Sequence, residues 1–325
     1  MSKEKISFNE AVFGFGSPVA LATFRIFVGL FSLLNFLMTA VSFNSWYTEK
    51  GLYPAWMAQR WSEGVPRFSP LIYVQDARLM AVIYAVITLS ALTTMLGLWS
   101  RVSSVVLFVG TLALHHRSPD ILSSADTLIR MWCFYVMIAP SGAALSLDRM
   151  IAIKKGKATV EPKEVSLWPQ RLIQLQLSIV YFTTVWWKWM GSMWRDGTAS
   201  YYPAQLHEFD RFPVPDFVNS HFMVMLTTYG TLIVELAVAF LAFAKPLRKW
   251  VLLGGLLLHG YIEYSMNIPL FGYVITSSYI CFYSGEEVTA WARRLSEKYP
   301  NLRKVFFRGE ALAEEGESSV VQSPA

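Results

Sequence analysis

Apolar residues occur along this chain in long runs that are separated by short polar stretches. Because a helix needs about 20 mostly apolar residues to cross a bilayer, we interpret eight of these runs as membrane-spanning helices. They cover residues 19–41, 79–98, 102–116, 124–144, 171–193, 222–244, 248–266 and 268–284. The third and eighth runs are short, and Pro140 is expected to kink or end the fourth. The pattern predicts an all-α, polytopic integral membrane protein.

The polar stretches predict how the rest of the chain is organised. Residues 1–18 form an N-terminal segment, residues 19–290 the transmembrane domain, and residues 291–325 a tail that is partly disordered. Two loops, 42–78 and 194–221, are long. The first is rich in aromatic residues and proline, which predicts short helices lying in the membrane interface. The basic linker 148–168 is expected to be flexible.

Composition and charge support this interpretation and add an orientation. The chain is 54% hydrophobic and 16% charged, whereas soluble domains carry about 25% charged residues. With the N-terminus in the cytoplasm, eighteen Lys and Arg residues fall on the inner side and seven on the outer side. The excess of inner positive charge predicts that both termini are cytoplasmic. It also accounts for the net charge of +5, so the lipid bilayer is the expected partner and nucleic acid is not.

Lys188 is the most informative polar residue, because it lies inside the fifth apolar run. A charge within a membrane helix costs roughly 2.5–3.5 kcal/mol on insertion scales, so we expect it to have a partner or a task. If it is buried, desolvation favours the neutral amine, which could act as a base. Alternatively its ammonium group could reach the outer interface while its stem runs along the neighbouring tryptophans, which are Trp186, Trp187 and Trp189.

Further ionisable residues are predicted to lie at the same outer depth as Lys188. His115 and His116 end the third helix, and Asp126 and Arg130 lie near the start of the fourth. An amine, imidazoles and a carboxylate that converge would suit proton transfer. Each of these residues also has a simpler interpretation. Asp126 and Arg130, spaced i, i+4, could pair on one helix face, and the histidines could be ordinary interfacial residues.

Four other ionisable residues lie within apolar runs. Glu235 is midway along the sixth, and His259 and Glu263 are spaced i, i+4 in the seventh. Each could be functional or could join helices by packing. Arg25 in the first run is expected to neutralise a carboxylate or to reach the inner interface.

Other kinds of site are not indicated. Cys133 and Cys281 have no CxxC or histidine spacing, so neither a disulfide framework nor a metal site is predicted. The nucleotide-binding and hydrolase motifs GxGxxG, GxxxxGK[ST], HExxH and GxSxG do not occur, which argues against a soluble type of active site.

Several stretches resemble the HTTM family, a transmembrane module shared with vitamin K-dependent γ-glutamyl carboxylase. They are RIFVG at 25–29, HHRSPDILSSADTLIR at 115–130, AALSLDR at 143–149, RLIQLQLSIVYF at 171–182 and WRDGTASYY at 194–202. In the carboxylase a lysine after a Tyr-Phe pair in this helix deprotonates vitamin K hydroquinone. Lys188 follows Tyr181-Phe182 in the same way.

The resemblance implies a quinol-dependent, carboxylase-like enzyme in a bacterial inner membrane, with an outer pocket, a reduced quinone as cofactor and no metal. Lys188 would be the base, with Asp126 and His116 as further catalytic residues. The pocket would include Arg130, His115, Tyr181, Trp187, Trp194, Asp196, Tyr201 and Tyr202. The chain has Asp126 near the position of a functional histidine in the carboxylase, so carboxylation of protein glutamate is not the expected reaction.

A second hypothesis is non-catalytic. The stretch 194–202 also resembles the membrane component that matures the sporulation-delaying toxin of bacilli, so the chain could bind a secreted peptide or protein for maturation or export. A transporter is a third option, against which stand the lack of internal repeats and of paired broken helices.

Overall fold

Helices make up most of the computed structural model, which describes residues 7–64 and 67–299. In chain order they are α1 Phe8–Phe13, α2 Val19–Ala40, α3 Phe43–Tyr47, α4 Ala55–Trp61, α5 Ala77–Leu96, α6 Ser100–Arg117, α7 Ser124–Ile138, α8 Leu147–Lys154, α9 Trp168–Met190, α10 Ser192–Arg195, α11 His221–Leu241, α12 Lys245–Ser265, α13 Phe271–Ser277 and α14 Gly285–Lys298. Two-residue strands, β1 Phe15–Gly16 and β2 Val165–Ser166, pair antiparallel. The mainly helical prediction is confirmed.

Within the described residues, three helices are long and apolar enough to cross a membrane, namely α2, α5 and α11. The predicted third, fourth, fifth and seventh segments coincide with α6, α7, α9 and α12. α7 ends at Ile138, which confirms that Pro140 stops the fourth helix. The eighth segment is α13 and a short 3-10 helix that ends at Phe282. Its 12 residues reach about 18 Å as an α-helix, short of the roughly 30 Å of a bilayer core.

The described residues fall into two compact units. The first contains residues 7–170 and 283–299, and the second contains residues 171–282. Each unit is described by itself.

In the first unit, α2 packs closely against α5 and α7. Gly29 of α2 faces the backbone of Met95 so closely that a Cβ atom would lie 2.5 Å from its nitrogen. Small residues at such crossings let membrane helices approach. Tyr84 of α5 donates to the Phe36 carbonyl at 2.6 Å, and the Trp132 ring meets Phe24 edge-on at 5.7 Å.

The loop 42–78 contains the expected short helices, α3 and α4, and a 3-10 turn at Pro70–Tyr73. The sequence predicts that the aromatic rings of this loop lie in the membrane interface, but not all of them lie at the surface of the structure. Tyr47 and Tyr53 are buried, because Tyr47 packs against Tyr84 and the Tyr53 ring lies under the Arg117 guanidinium. Trp56 and Tyr73 are exposed.

The linker 148–168 is more ordered than expected. Most of α8 lies in it, and its strand β2 pairs with β1. Asp148 accepts hydrogen bonds from the Trp99 and Ser100 amides and from the Ser100 hydroxyl, each at 2.7 Å. Burial alone would raise the pKa of Asp148, but these hydrogen bonds hold it below its ordinary value. The carboxylate therefore anchors α8 to the start of α6. The predicted disorder of the end of the tail lies outside the described residues.

The second unit is built from α9, α11, α12 and α13. Gln174 of α9 donates to the Cys281 carbonyl at 2.6 Å. This hydrogen bond holds the start of α9 against the 3-10 helix that follows α13. α11 packs along α12. The loop 194–202 is fastened to α11, because the Ser200 amide donates to the Thr228 hydroxyl at 3.1 Å.

Candidate functional site

Lys188, near the end of α9, forms an ion pair with Glu235 of α11 through its Nζ and Oε1 atoms. The two side chains are 24% and 6% exposed. The Lys188 ammonium also lies 5.0 Å from the centre of the Trp194 ring. Because a neighbouring carboxylate favours the charged form of an amine, this arrangement stabilises the ammonium.

The second carboxylate oxygen of Glu235 is buried. Among the described residues, Oε2 has no hydrogen-bond partner. Buried polar atoms are nearly always satisfied, so an atom without a partner calls for an explanation such as a bound water, an ion or a functional role. Glu235 was identified from the sequence as an intramembrane acid, but its pairing with Lys188 was not predicted.

Three aromatic side chains form a buried hydrogen-bonded chain in the same unit. The Tyr181 hydroxyl lies 2.8 Å from His259 Nε2 and 2.6 Å from the Tyr279 hydroxyl. Tyr181 and His259 are almost completely buried. His259 Nδ1 is a second buried atom for which the described residues provide no hydrogen-bond partner.

A cavity of about 200 Å³ borders this chain of hydrogen bonds and lies beside α12, α13 and the segment that contains Arg211. Arg211 donates to the Glu263 carboxylate at 2.7 Å and to its backbone carbonyl at 2.9 Å. The other Glu263 oxygen accepts from the Gly272 amide at 3.2 Å. His259 and Glu263, which the sequence places one turn apart, therefore have separate partners.

The remaining predicted pocket residues of the second unit are largely exposed. Trp187 is 75% exposed, and Asp196 is exposed after α10. Tyr201 and Tyr202 contact each other edge-on, with ring centres 5.7 Å apart, and both are exposed. Trp194 is different, because its ring lies beside the Lys188 ammonium.

In the first unit, Asp126 binds several polar groups. It accepts from Asn35 at 2.7 Å and from the Ser123 amide at 2.6 Å, and its carboxylate lies 3.8 Å from His115 Nε2. Ser123 and Asp126 form a capping box at the start of α7, which stabilises a helix N-terminus. The predicted i, i+4 ion pair to Arg130 is not found in the described part of the chain, because the carboxylate is used for this cap.

His116, Arg130 and Arg25 have simpler environments. A ring nitrogen of His116 lies 3.1 Å from the Phe68 carbonyl, and Arg130 is half-buried. Arg25 donates to the backbone carbonyls of Ser141 and Leu145. It therefore binds the segment between α7 and α8, and it also interacts electrostatically with the carboxylate of Asp148.

No group of three or more His, Cys, Asp or Glu side chains within the described residues is arranged to hold a metal ion. Cys133 and Cys281 are both buried.

A mostly helical chain with apolar helices of spanning length and a charged pair between two of its helices has the character of an integral membrane protein. The model of the HTTM domain matches residues 16–286, so this chain is a membrane protein of the HTTM family. No solved structure matches it.

Proposed function

We propose that this chain crosses the membrane with eight helical segments, and that both termini are in the cytoplasm of a bacterial cell. The eight predicted segments all coincide with helices, and Lys and Arg are concentrated on the side of the N-terminus. The segment that ends at Phe282 is shorter than the bilayer core, and it completes its crossing where the bilayer thins around a short helix.

Cysteine accessibility tests this topology. Glu63→Cys and Lys163→Cys place thiols at exposed positions of the loop 42–78 and of the linker. A membrane-impermeant maleimide on intact cells is expected to label the first and not the second, and both after permeabilisation. The native cysteines are buried and should give little background. Labelling of Lys163→Cys alone in intact cells would reverse the orientation.

We propose further that the Lys188–Glu235 pair is a proton acceptor in a quinol-dependent enzyme. The observation that carries this proposal is the ion pair itself, with one buried carboxylate oxygen left without a partner. When the proton that the two groups share lies on Glu235, both groups are neutral and the Lys188 amine can accept one proton. The net charge of the pair then rises from zero to plus one, opposite in sign to the charge that the departing proton leaves behind.

Two features of the residues support a reduced quinone as the ligand. Glu235 Oε2 can accept a hydrogen bond from a hydroxyl group, and the Trp194 ring beside Lys188 offers an aromatic surface. A bound quinol would supply an acidic hydroxyl and reducing equivalents. The chain supplies the proton acceptor, the cation that stabilises negative charge, and surroundings with little water.

Mass spectrometry of quinones that copurify with the full-length protein tests this function. Wild type is expected to be enriched in a quinone over the bulk membrane, and Lys188→Ala to lose most of it. Lys249→Ala is a matched control, because Lys249 also lies over a tryptophan ring, that of Trp250, at 4.7 Å. If wild type shows no enrichment, or if both variants lose the quinone equally, the proposal is wrong.

The non-catalytic alternative, a factor for maturation or export of a secreted peptide, is favoured by one feature. An ion pair between α9 and α11 can be a purely structural connection. Lys188→Arg distinguishes the enzymatic function from the non-catalytic one, because arginine keeps the charge and does not deprotonate. A structural pair keeps its function in this variant, and a proton-accepting lysine does not.

A further inference from the structure

The cavity beside α12 and α13 has no role in the proposed proton transfer. We propose that it binds a small, uncharged aromatic molecule that carries a hydrogen-bonding oxygen, with phenol as the simplest example. The inference concerns ligand binding alone, and it does not depend on the chemistry of Lys188.

The size of the cavity restricts the ligand. Its volume of about 200 Å³ is somewhat larger than the roughly 150 Å³ engineered cavity that binds benzene. It is smaller than the roughly 300–1,000 Å³ of pockets for drug-sized molecules. One aromatic ring with a short substituent fits this range.

The walls of the cavity are aromatic. Phe212 and Tyr264 stack with ring centres 5.4 Å apart, and Tyr273 and Leu256 also line the cavity. Between a third and two thirds of each of these four side chains is exposed, so the site is open at one side. Aromatic walls favour a flat ring, which can contact them by offset or edge-on packing.

The charge of the lining favours a neutral ligand. Arg211 and Glu263 neutralise each other, and both Glu263 oxygens already accept hydrogen bonds. An ionic ligand would bring an uncompensated charge beside this pair, which is unfavourable in a partly buried site.

His259 provides the polar contact. It lines the cavity and is 2% exposed. Its Nε2 atom is bound to Tyr181, and Phe271 packs edge-on against its ring at 5.6 Å. The orientation of the ring is therefore fixed, and Nδ1 lacks a partner within the described chain. Because the Tyr181 hydroxyl can donate or accept, Nδ1 can take either role. Nδ1 is covered in this structure, so a ligand hydroxyl or carbonyl oxygen would satisfy it after a small local movement.

Gly260 offers a precise way to close the site. It lines the cavity, and a Cβ atom added there meets nothing within 4 Å, so a larger side chain can enter the open space without disturbing the fold. Gly230 of α11 is the matched control. An added Cβ is equally free there, but Gly230 does not line the cavity.

The experiment measures binding of 4-fluorophenol and fluorobenzene to the full-length protein in nanodiscs by fluorine NMR, with empty nanodiscs as the blank. Wild type, Gly230→Leu and Lys188→Ala are expected to bind 4-fluorophenol saturably. Gly260→Leu is expected to weaken its binding by about tenfold or more, since the side chain fills the cavity. His259→Phe keeps the ring shape. It is expected to weaken the binding of 4-fluorophenol by about tenfold and to leave the affinity for fluorobenzene unchanged.

Three results would overturn the proposal. They are the absence of saturable binding to wild type, equal binding to Gly260→Leu, and equal affinity of wild type for the two probes. The last would mean that the cavity recognises apolar surface alone, as a lipid chain would. Retention of binding by Lys188→Ala keeps this test separate from the proposed proton transfer.

Discussion

Replacing Lys188 with methionine is expected to lower the free energy of unfolding by about 3–5 kcal/mol, the usual range when one partner of a buried ion pair is removed. Methionine retains most of the apolar stem of lysine, so the main change is the loss of the ammonium group. The carboxylate of Glu235 is then left 6% exposed without its counter-ion. Unfolding in detergent, followed by tryptophan fluorescence, measures this loss.

Two further variants show whether the loss comes from the uncompensated charge. Glu235→Gln should cost less than Lys188→Met, because the Lys188 side chain is 24% exposed and can move its charge towards water. Lys188→Met combined with Glu235→Leu should return the stability to within about 1 kcal/mol of wild type, since an apolar pair often replaces a buried ion pair without loss. A double variant as unstable as Lys188→Met would contradict this explanation.

Gly29→Ala is the second substitution with a large expected effect. Its Cβ would lie 2.5 and 2.6 Å from the backbone nitrogen and Cα of Met95. A backbone cannot move aside like the end of a flexible side chain, so α2 and α5 must separate. We expect the free energy of unfolding to fall by about 1–3 kcal/mol or more, as in other overpacked interiors.

Gly230→Ala is the control for this prediction. It makes the same chemical change in α11, also a helix of spanning length, where nothing lies within 4 Å of the added atom. Alanine is the better helix former by about 1 kcal/mol, so this variant should be neutral or slightly stabilising. Equal effects of the two substitutions would show that α2 and α5 do not touch at Gly29.

The positions of the helices could be predicted because each depends on a contiguous property of the sequence. A long apolar run must form internal backbone hydrogen bonds in a membrane, and proline stops a helix where it occurs. The prediction was less accurate where order comes from distant residues. The linker 148–168 reads as flexible, but its Asp148 is held by Ser100, and its strand β2 by β1.

The candidate site was predictable as a set of residues but not as a set of pairs. Lys188 and Glu235 were each conspicuous as charges in apolar runs, and opposite charges in one membrane domain are a usable signal for pairing. Tyr279, Arg211 and Asn35 carried no such signal, because their contacts join segments far apart in sequence. The capping box that occupies Asp126 had a local signal, the spacing of Ser123 and Asp126.

The first unit is interrupted in the sequence by the whole of the second. Gly285 lies against Ser17 at the start of α2, and Gln170 donates to the Tyr283 carbonyl at 3.0 Å, so residues on both sides of the interruption complete the first unit. A ribosome produces residues 283–299 only after it has produced the second unit. During synthesis, the surface of the first unit against which α14 packs therefore stays uncovered until every helix that precedes α14 has been produced.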